Sequence, residues 1–96
     1  MKTAYVYILT NKRNGTLYIG VTENLATRMD QHKAGKGSQF TAKYGTDQLV
    51  WFAEFVDKNQ AREQERRMKT WKRVWKLNAI ETMNPDWNDL SLRLNE

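Results

Sequence analysis

The stretch Tyr5-Val6-Tyr7-Ile8-Leu9-Thr10-Asn11-Lys12-Arg13-Asn14-Gly15-Thr16-Leu17-Tyr18-Ile19-Gly20-Val21-Thr22 decides the fold of this chain. Its ends are rich in β-branched and aromatic residues and its middle in turn formers, the pattern of a β-hairpin. In Ala4 to Thr10, Val6 and Ile8 point to one face, and Tyr5, Tyr7 and Leu9 to the other. In Thr16 to Val21, Leu17, Ile19 and Val21 oppose Tyr18 and Gly20. Matching the apolar faces pairs Val6 with Ile19 and Ile8 with Leu17, which predicts Tyr7 directly opposite Tyr18, both phenols on one face. Gly15 can take a positive φ cheaply in the turn, and Gly20, lacking a side chain, lets another group approach the backbone closely. On residue type alone, a cross-strand tyrosine pair more often serves packing than chemistry.

Outward from the hairpin, a helix is predicted from Asn24 to Lys33, with Thr22 or Asn24 as N-cap and Gly35 as its stop. Leu25, Ala26 and Met29 form its apolar side, and Arg28 and His32 lie one turn apart on the flank, where they can reach along the sheet. Ala34 to Lys43, with Gly35, Gly37, Ser38 and Thr41, reads as a flexible substrate-side loop made positive by Lys33, Lys36 and Lys43. A third strand is expected at Gln48 to Phe55. The remainder reads as helical: Asn59 to about Lys72, then a helix or a continuation to Met83, and a last turn beginning at Asn84-Pro85. Ala61, Met68, Trp71 and Trp75 form the expected buried stripe, with Glu65 on its margin. A half-shielded carboxylate suits a divalent cation, whereas Lys69 at i+4 offers a helix ion pair of roughly 0.3 to 0.5 kcal/mol.

Composition narrows the class. Ninety-six residues, 40% of them hydrophobic, suit one globular domain spanning 1–96. No stretch approaches the roughly 20 apolar residues of a membrane span, and Met1-Lys2-Thr3 leads straight into a strand, so a cytoplasmic protein without membrane partners is expected. The absence of cysteine removes disulfides, thiolate metal sites and cysteine nucleophiles, and a single histidine excludes a His-rich zinc site. Any metal is then a hard cation held by carboxylate, water and substrate oxygen. The net charge of +5 points to a polyanionic partner and is unevenly spread. Arg62, Arg66, Arg67, Lys69, Lys72, Arg73 and Lys76 crowd one segment, answered only by Glu63 and Glu65; the tail sets Glu81, Asp86, Asp89 and Glu96 against Arg93. Such a basic helix either follows a phosphate backbone or simply solvates its own face.

In order and spacing, Tyr5-Val6-Tyr7-Ile8-Leu9, Tyr18-Ile19-Gly20-Val21-Thr22, Arg28 with His32, Glu65 with Lys69 and Trp71, Asn84-Pro85-Asp86-Trp87 and Asp89-Leu90 resemble the GIY-YIG nucleases. The likeness is to small stand-alone bacterial proteins similar to the catalytic domain of the excision repair nuclease subunit, and it covers nearly the whole chain. Tyr5 and Val6 replace the Gly and Ile of the family's name, leaving Tyr7 in place. The resemblance implies an α/β (α+β) fold, a three-stranded, mostly antiparallel sheet flanked by helices in the order β-β-α-β-α-α. It also implies a metal-dependent endonuclease acting on DNA, duplex or branched, in repair or recombination, alone, as a homo-oligomer or within a larger repair complex.

Carried over by position, the resemblance assigns Tyr7 and Tyr18 to the attacking water, Glu65 to one Mg²⁺ or Mn²⁺ ion and Arg28 to the scissile phosphate. His32 would orient the phosphate or take part in proton transfer. A phenol is a poor base near neutrality, so Tyr7 requires positive charge nearby, for which Lys12, Arg13 and Arg28 are candidates. Lys12, Arg13, Lys36, Lys43, Arg66, Lys69 and Arg73 are the candidate DNA contacts. Asn84 either closes the site or caps the last helical turn. Two rival readings stand beside this one: a nucleic-acid-binding module that does not cut, and an accessory subunit that docks through its tryptophans.

Overall fold

The computed structural model describes residues 3–94; Met1, Lys2 and Glu96, which enter the expectations above, lie outside them. Strands β1 (Ala4–Thr10) and β2 (Leu17–Thr22) are followed by helices α1 (Leu25–Lys33) and α2 (Gln39–Tyr44), strand β3 (Gln48–Phe55), helices α3 (Lys58–Thr70) and α4 (Arg73–Met83), and a 3₁₀ turn at Leu90–Arg93. The sheet order is β2-β1-β3, and both pairings are antiparallel. The α+β fold is therefore as expected, with one helix more between β1-β2-α1 and β3.

As the central strand, β1 is covered on both faces, which explains its nearly continuous apolar run. Ala4, Val6 and Ile8 pack with Ile19 and Val50 against Ala61, Met68, Ile80 and Trp87. On the other face Tyr7 and Leu9 join Leu25, Met29, Leu49 and Leu90. Between Ile8 and Leu9 the pairing with β3 slips, so that Ile8 faces Trp51 and Leu9 faces Leu49.

The hairpin register differs from the expected one by two residues. Val6 pairs with Val21, Ile8 with Ile19 and Thr10 with Leu17, so Tyr7 lies opposite Gly20 and Tyr18 opposite Leu9. A two-residue slip returns every side chain to the same face, so hydrophobic alternation cannot distinguish the two registers. The loop decides. Asn11 Oδ1 accepts from the Thr16 N–H at 2.9 Å, and the Gly15 N–H donates to the Lys12 carbonyl at 2.9 Å, closing the loop beyond the Thr10–Leu17 pair. The left-handed residue there is Asn14 (φ 58°), not Gly15. Gly15 is needed for space, because a Cβ there would strike Asn11 Oδ1.

Asn24 caps α1, its side chain accepting from the Thr27 N–H at 3.0 Å. The expected substrate-side loop contains a helix instead: Ser38 Oγ accepts the Thr41 N–H at 3.1 Å to start α2, and Gly45 at φ 64° ends it. Six residues are too few to display a helical period, so the surrounding glycines dominate the sequence pattern. The long helix breaks at Trp71 and Lys72, both extended at ψ 147°. That break rephases the apolar stripe: Ala61 and Met68 are buried, Trp71 is half-buried, and Trp75, expected in the core, is 54% exposed. The buried residue of α4 is Ile80. Among the described residues, no helix is long and apolar enough to cross a membrane.

Candidate active site

The centre of the Tyr7 face is built by β1, β2 and α1. Gly20 opposite Tyr7 leaves space for the phenol to lie across β2; a Cβ at Gly20 would come within 2.5 Å of the Tyr7 hydroxyl oxygen. Tyr18, two residues earlier on β2, places its ring 6.3 Å from that of Tyr7. Leu25 and Met29 seat α1 on this face and turn His32 inward, where it is 3% exposed. Nε2 of His32 lies 3.0 Å from the Tyr7 hydroxyl, and its ring is 5.6 Å from that of Tyr18.

The other ring nitrogen explains how the imidazole is held. Nδ1 of His32 lies 3.1 Å from Thr41 Oγ1 on α2. Thr41 Oγ1 also donates to the Ser38 carbonyl at 3.2 Å and lies 3.0 Å from Ser38 Oγ. Donation from Thr41 to the Ser38 carbonyl is compatible with an Nδ1–H imidazole, the tautomer in which Nε2 accepts from Tyr7. Gly37 backs the same ring so closely that a Cβ there would overlap the imidazole.

Electrostatics keep both partners neutral. Burial pushes the Tyr7 phenol up to about 12, with help from Tyr18 and from the negative charge of Glu65, while the Arg28 guanidinium opposes them as a cation and donor. Tyr7 is thus a neutral O–H donor. His32 is held below 6.5, first by burial and then by the Arg28 charge, which keeps it a neutral acceptor. Of the three cations considered for Tyr7, Arg28 is the one that acts on it, whereas Lys12 and Arg13 sit on the exposed hairpin loop.

Tyr7, Tyr18 and His32 lie against one another, Arg28 bears on the Tyr7 phenol as cation and donor, and the charge of Glu65, carried on α3, is felt at the same phenol. Its side chain is 18% exposed, and Lys69 Nζ is 3.6 Å away, so the half-shielded position and the i+4 ion pair expected from sequence coexist. Among the described residues no three His, Asp or Glu side chains cluster as a metal cage. A single carboxylate suits a hard cation such as Mg²⁺ or Mn²⁺, which keeps most of its waters. A cleft of about 340 Å³, lined by Thr22, Thr27, Arg28, Gln31 and Lys58 among others, opens beside α1. Arg28 faces that cleft, while Tyr7 has no exposed surface at all.

The remaining candidates divide by environment. Lys36, Arg66 and Lys69 are exposed, and Lys43 Nζ sits 5.4 Å from the centre of the Tyr44 ring. Arg73 is committed elsewhere: its Nη2 donates to the carbonyls of Asn14 (2.7 Å) and Gly15 (2.6 Å), fastening the start of α4 to the hairpin loop. Asn84 caps the end of α4, where its amide donates to the carbonyls of Val50 (3.2 Å) and Asn88 (2.8 Å). Thr41, Ser38 and Gly37 complete the His32 environment; the signal the sequence carries for α2 is Ser38, a residue type that favours a helix N-cap. Asp89 also holds the site from a distance. It accepts from Lys33 Nζ at 2.7 Å, the Leu49 N–H at 3.1 Å and the Ser91 N–H at 3.0 Å, tying the end of α1 to β3.

The GIY-YIG catalytic domain family model matches residues 3–78. A UPF0213 protein of Oceanobacillus iheyensis is 39% identical over 77 residues, 80% of this chain and 88% of that one. A UPF0213 protein of Staphylococcus haemolyticus is 40% identical over 81 residues, 84% and 98% of the two chains. The solution NMR structure of a UPF0213 protein from Bacillus halodurans is similar with a TM-score of 0.56 at 29% identity, covering 91% of this chain and 92% of the other. With the two tyrosine strands, the Arg28–His32 helix and the carboxylate of α3 in place, the chain belongs to the GIY-YIG nuclease family.

Proposed function

We propose that this protein is a divalent-metal-dependent endonuclease that hydrolyses phosphodiester bonds in DNA, with Tyr7, Tyr18, Arg28, His32 and Glu65 as its reacting groups. The observation that carries this reading is the 3.0 Å contact between the Tyr7 hydroxyl and Nε2 of a histidine whose other nitrogen is already engaged. A phenol near 12 is a weak acid and, alone, an ineffective source of base at neutral pH. Linked to a neutral imidazole it becomes a relay: Tyr7 Oη accepts a proton from water as its own proton passes to His32 Nε2. The hydroxide equivalent attacks phosphorus, and the bond to the leaving 3′-oxygen breaks, giving a 3′-hydroxyl and a 5′-phosphate after protonation.

Arg28 links the cleft to the relay. Its guanidinium fork matches two phosphate oxygens, and it also bears on the buried phenol. Tyr18, half-buried with its ring 6.3 Å from that of Tyr7, orients the attacking water. Glu65 would hold the Mg²⁺ or Mn²⁺ ion that, when bound, offsets the negative charge growing on the phosphate oxygens. Exposed Lys36, Lys43, Arg66 and Lys69 supply the long-range attraction for the DNA backbone, with Lys12 and Arg13 at the hairpin tip.

The test is cleavage of supercoiled plasmid and branched DNA by the purified protein with Mg²⁺, Mn²⁺ or EDTA, beside Glu65→Ala. Cutting that requires metal and disappears in Glu65→Ala is expected. Equal cutting by Glu65→Ala would remove the metal assignment, and salt-sensitive binding of every DNA without cutting would identify a binding module instead.

A further inference from the structure

The site continues outward along a series of aromatic rings. From His32 the next ring is Tyr18, 5.6 Å away between centroids; then Phe40 at 5.7 Å from Tyr18; then Tyr44 at 4.7 Å from Phe40. The inner members are shielded, but Phe40 is 39% and Tyr44 44% exposed. Other exposed apolar residues, such as Val56 and Leu92, are not part of this ring series. Single exposed apolar side chains are ordinary on a protein surface, whereas a contiguous run leading out of a site requires an explanation. Thr41 makes the contact by which α2 secures His32, and Phe40 seats the helix on Tyr18, yet both rings remain partly exposed. Cations stand beside them: Lys43 lies over the Tyr44 ring, and Lys36 is exposed on the approach to the same helix.

We infer that Phe40 and Tyr44 form a stacking subsite for an unpaired nucleobase next to the scissile phosphate, so that the preferred substrate is a DNA strand unpaired at the cut. The inference rests on the nuclease reading of the same site and adds the substrate class. Aromatic faces beside lysines are the chemistry by which proteins hold single strands: the π-face accepts any base, and the cations follow the backbone. A base still paired inside a duplex presents only its edge and cannot lie on these rings. Continuity with Tyr18 makes the subsite and the proposed hydrolytic centre neighbours on one strand.

Binding is measured in EDTA, so that cutting plays no part, by fluorescence anisotropy at fixed salt. The ligands are a single-stranded DNA oligonucleotide, the same strand with one abasic residue moved along it, and its duplex. The wild-type protein is expected to bind the single strand more tightly than the duplex and to lose about tenfold when the abasic residue occupies the stacking position. Phe40→Leu/Tyr44→Leu is expected to lose a similar factor on the intact strand and to become indifferent to the abasic residue. Tyr44→Ser, which leaves Phe40 against Tyr18, serves if the double variant does not fold, with part of the same loss expected. Wild-type-like affinity in folded variants, or no effect of an abasic residue at any position, overturns the subsite while leaving the nuclease reading intact. Failure to bind any of these DNAs at low salt overturns both.

Discussion

Tyr7 and His32 are 25 positions apart in the chain and 3.0 Å apart in space, joined by a buried hydrogen bond, while Thr41 Oγ1 engages the far side of the imidazole 3.1 Å from Nδ1. Thr41→Val preserves shape and removes the acceptor, so the Nδ1–H tautomer should lose its preference. Imidazole ¹⁵N shifts are expected to report Nδ1–H in the wild type and in Thr41→Ser, and a mixed or inverted tautomer in Thr41→Val. Cleavage by Thr41→Val should fall by roughly a hundredfold, as for loss of a general base. An unchanged tautomer would show that Thr41 does not direct the ring.

Gly20 carries the second expectation. A methyl group there meets the Tyr7 oxygen at 2.5 Å and the adjoining ring carbon at 2.6 Å. The phenol belongs to a packed core and cannot simply swing into solvent, so Gly20→Ala should destabilise the fold by about 1–3 kcal/mol. It should also separate Tyr7 from His32. Denaturant unfolding measures the first effect, and residual cleavage well below that of a control of equal stability, such as Ile80→Val, measures the second.

Two arginines named together from sequence should behave differently. Arg66 is exposed on α3, whereas Arg73 is bound to the Asn14 and Gly15 carbonyls. Arg66→Ala is expected to lower the slope of log affinity against log salt by about 1 and to leave stability unchanged. Arg73→Ala should lower stability by about 1 kcal/mol with little change in that slope. The reverse pattern would return Arg73 to the DNA surface.

Acid should loosen the support of the site at Asp89. Burial pushes this carboxyl up, but hydrogen bonds from Lys33, from the Ser91 side chain and from the Leu49 and Ser91 N–H groups outweigh it and hold it below 3.8. A group depressed in the folded state stabilises the protein fully above its unfolded value, and that stabilisation is lost as pH falls through the folded value. The loss therefore lies below about pH 3.8. At neutral pH Asp89→Asn should cost about 2 kcal/mol, and the gap in Tm from wild type should narrow as pH falls through that range. A gap independent of pH would mean that the charge of Asp89 does not stabilise the fold.

What was legible in the sequence follows physical lines. Alternation in Val6–Ile8 and Leu17–Val21 determined the faces, so Tyr7 and Tyr18 were correctly placed on one side. It could not determine register, because a two-residue slip keeps every face and only the Asn11–Thr16 contact selects between the alternatives. Strand β3 was readable from its β-branched and aromatic run and the start of α1 from its cap. Helix α2 was not, since a six-residue helix has no period, and the Thr41 contact was lost with it. Trp75 was misplaced because a wheel drawn through Trp71 and Lys72 assumes a continuous helix where the backbone is extended. Of the four tryptophans Trp75 is exposed, Trp51 and Trp71 are half-buried and Trp87 is buried.

The central claim is that the Tyr7 hydroxyl passes a proton between water and His32. Tyr7→Phe tests it most directly, since the ring still fills the space over Gly20 and only the oxygen is lost. With Mg²⁺ or Mn²⁺ present and a Tm showing a folded protein, the initial rate of plasmid nicking by Tyr7→Phe is expected to fall at least a hundredfold below wild type. Nicking by Tyr7→Phe at the wild-type rate would contradict the relay.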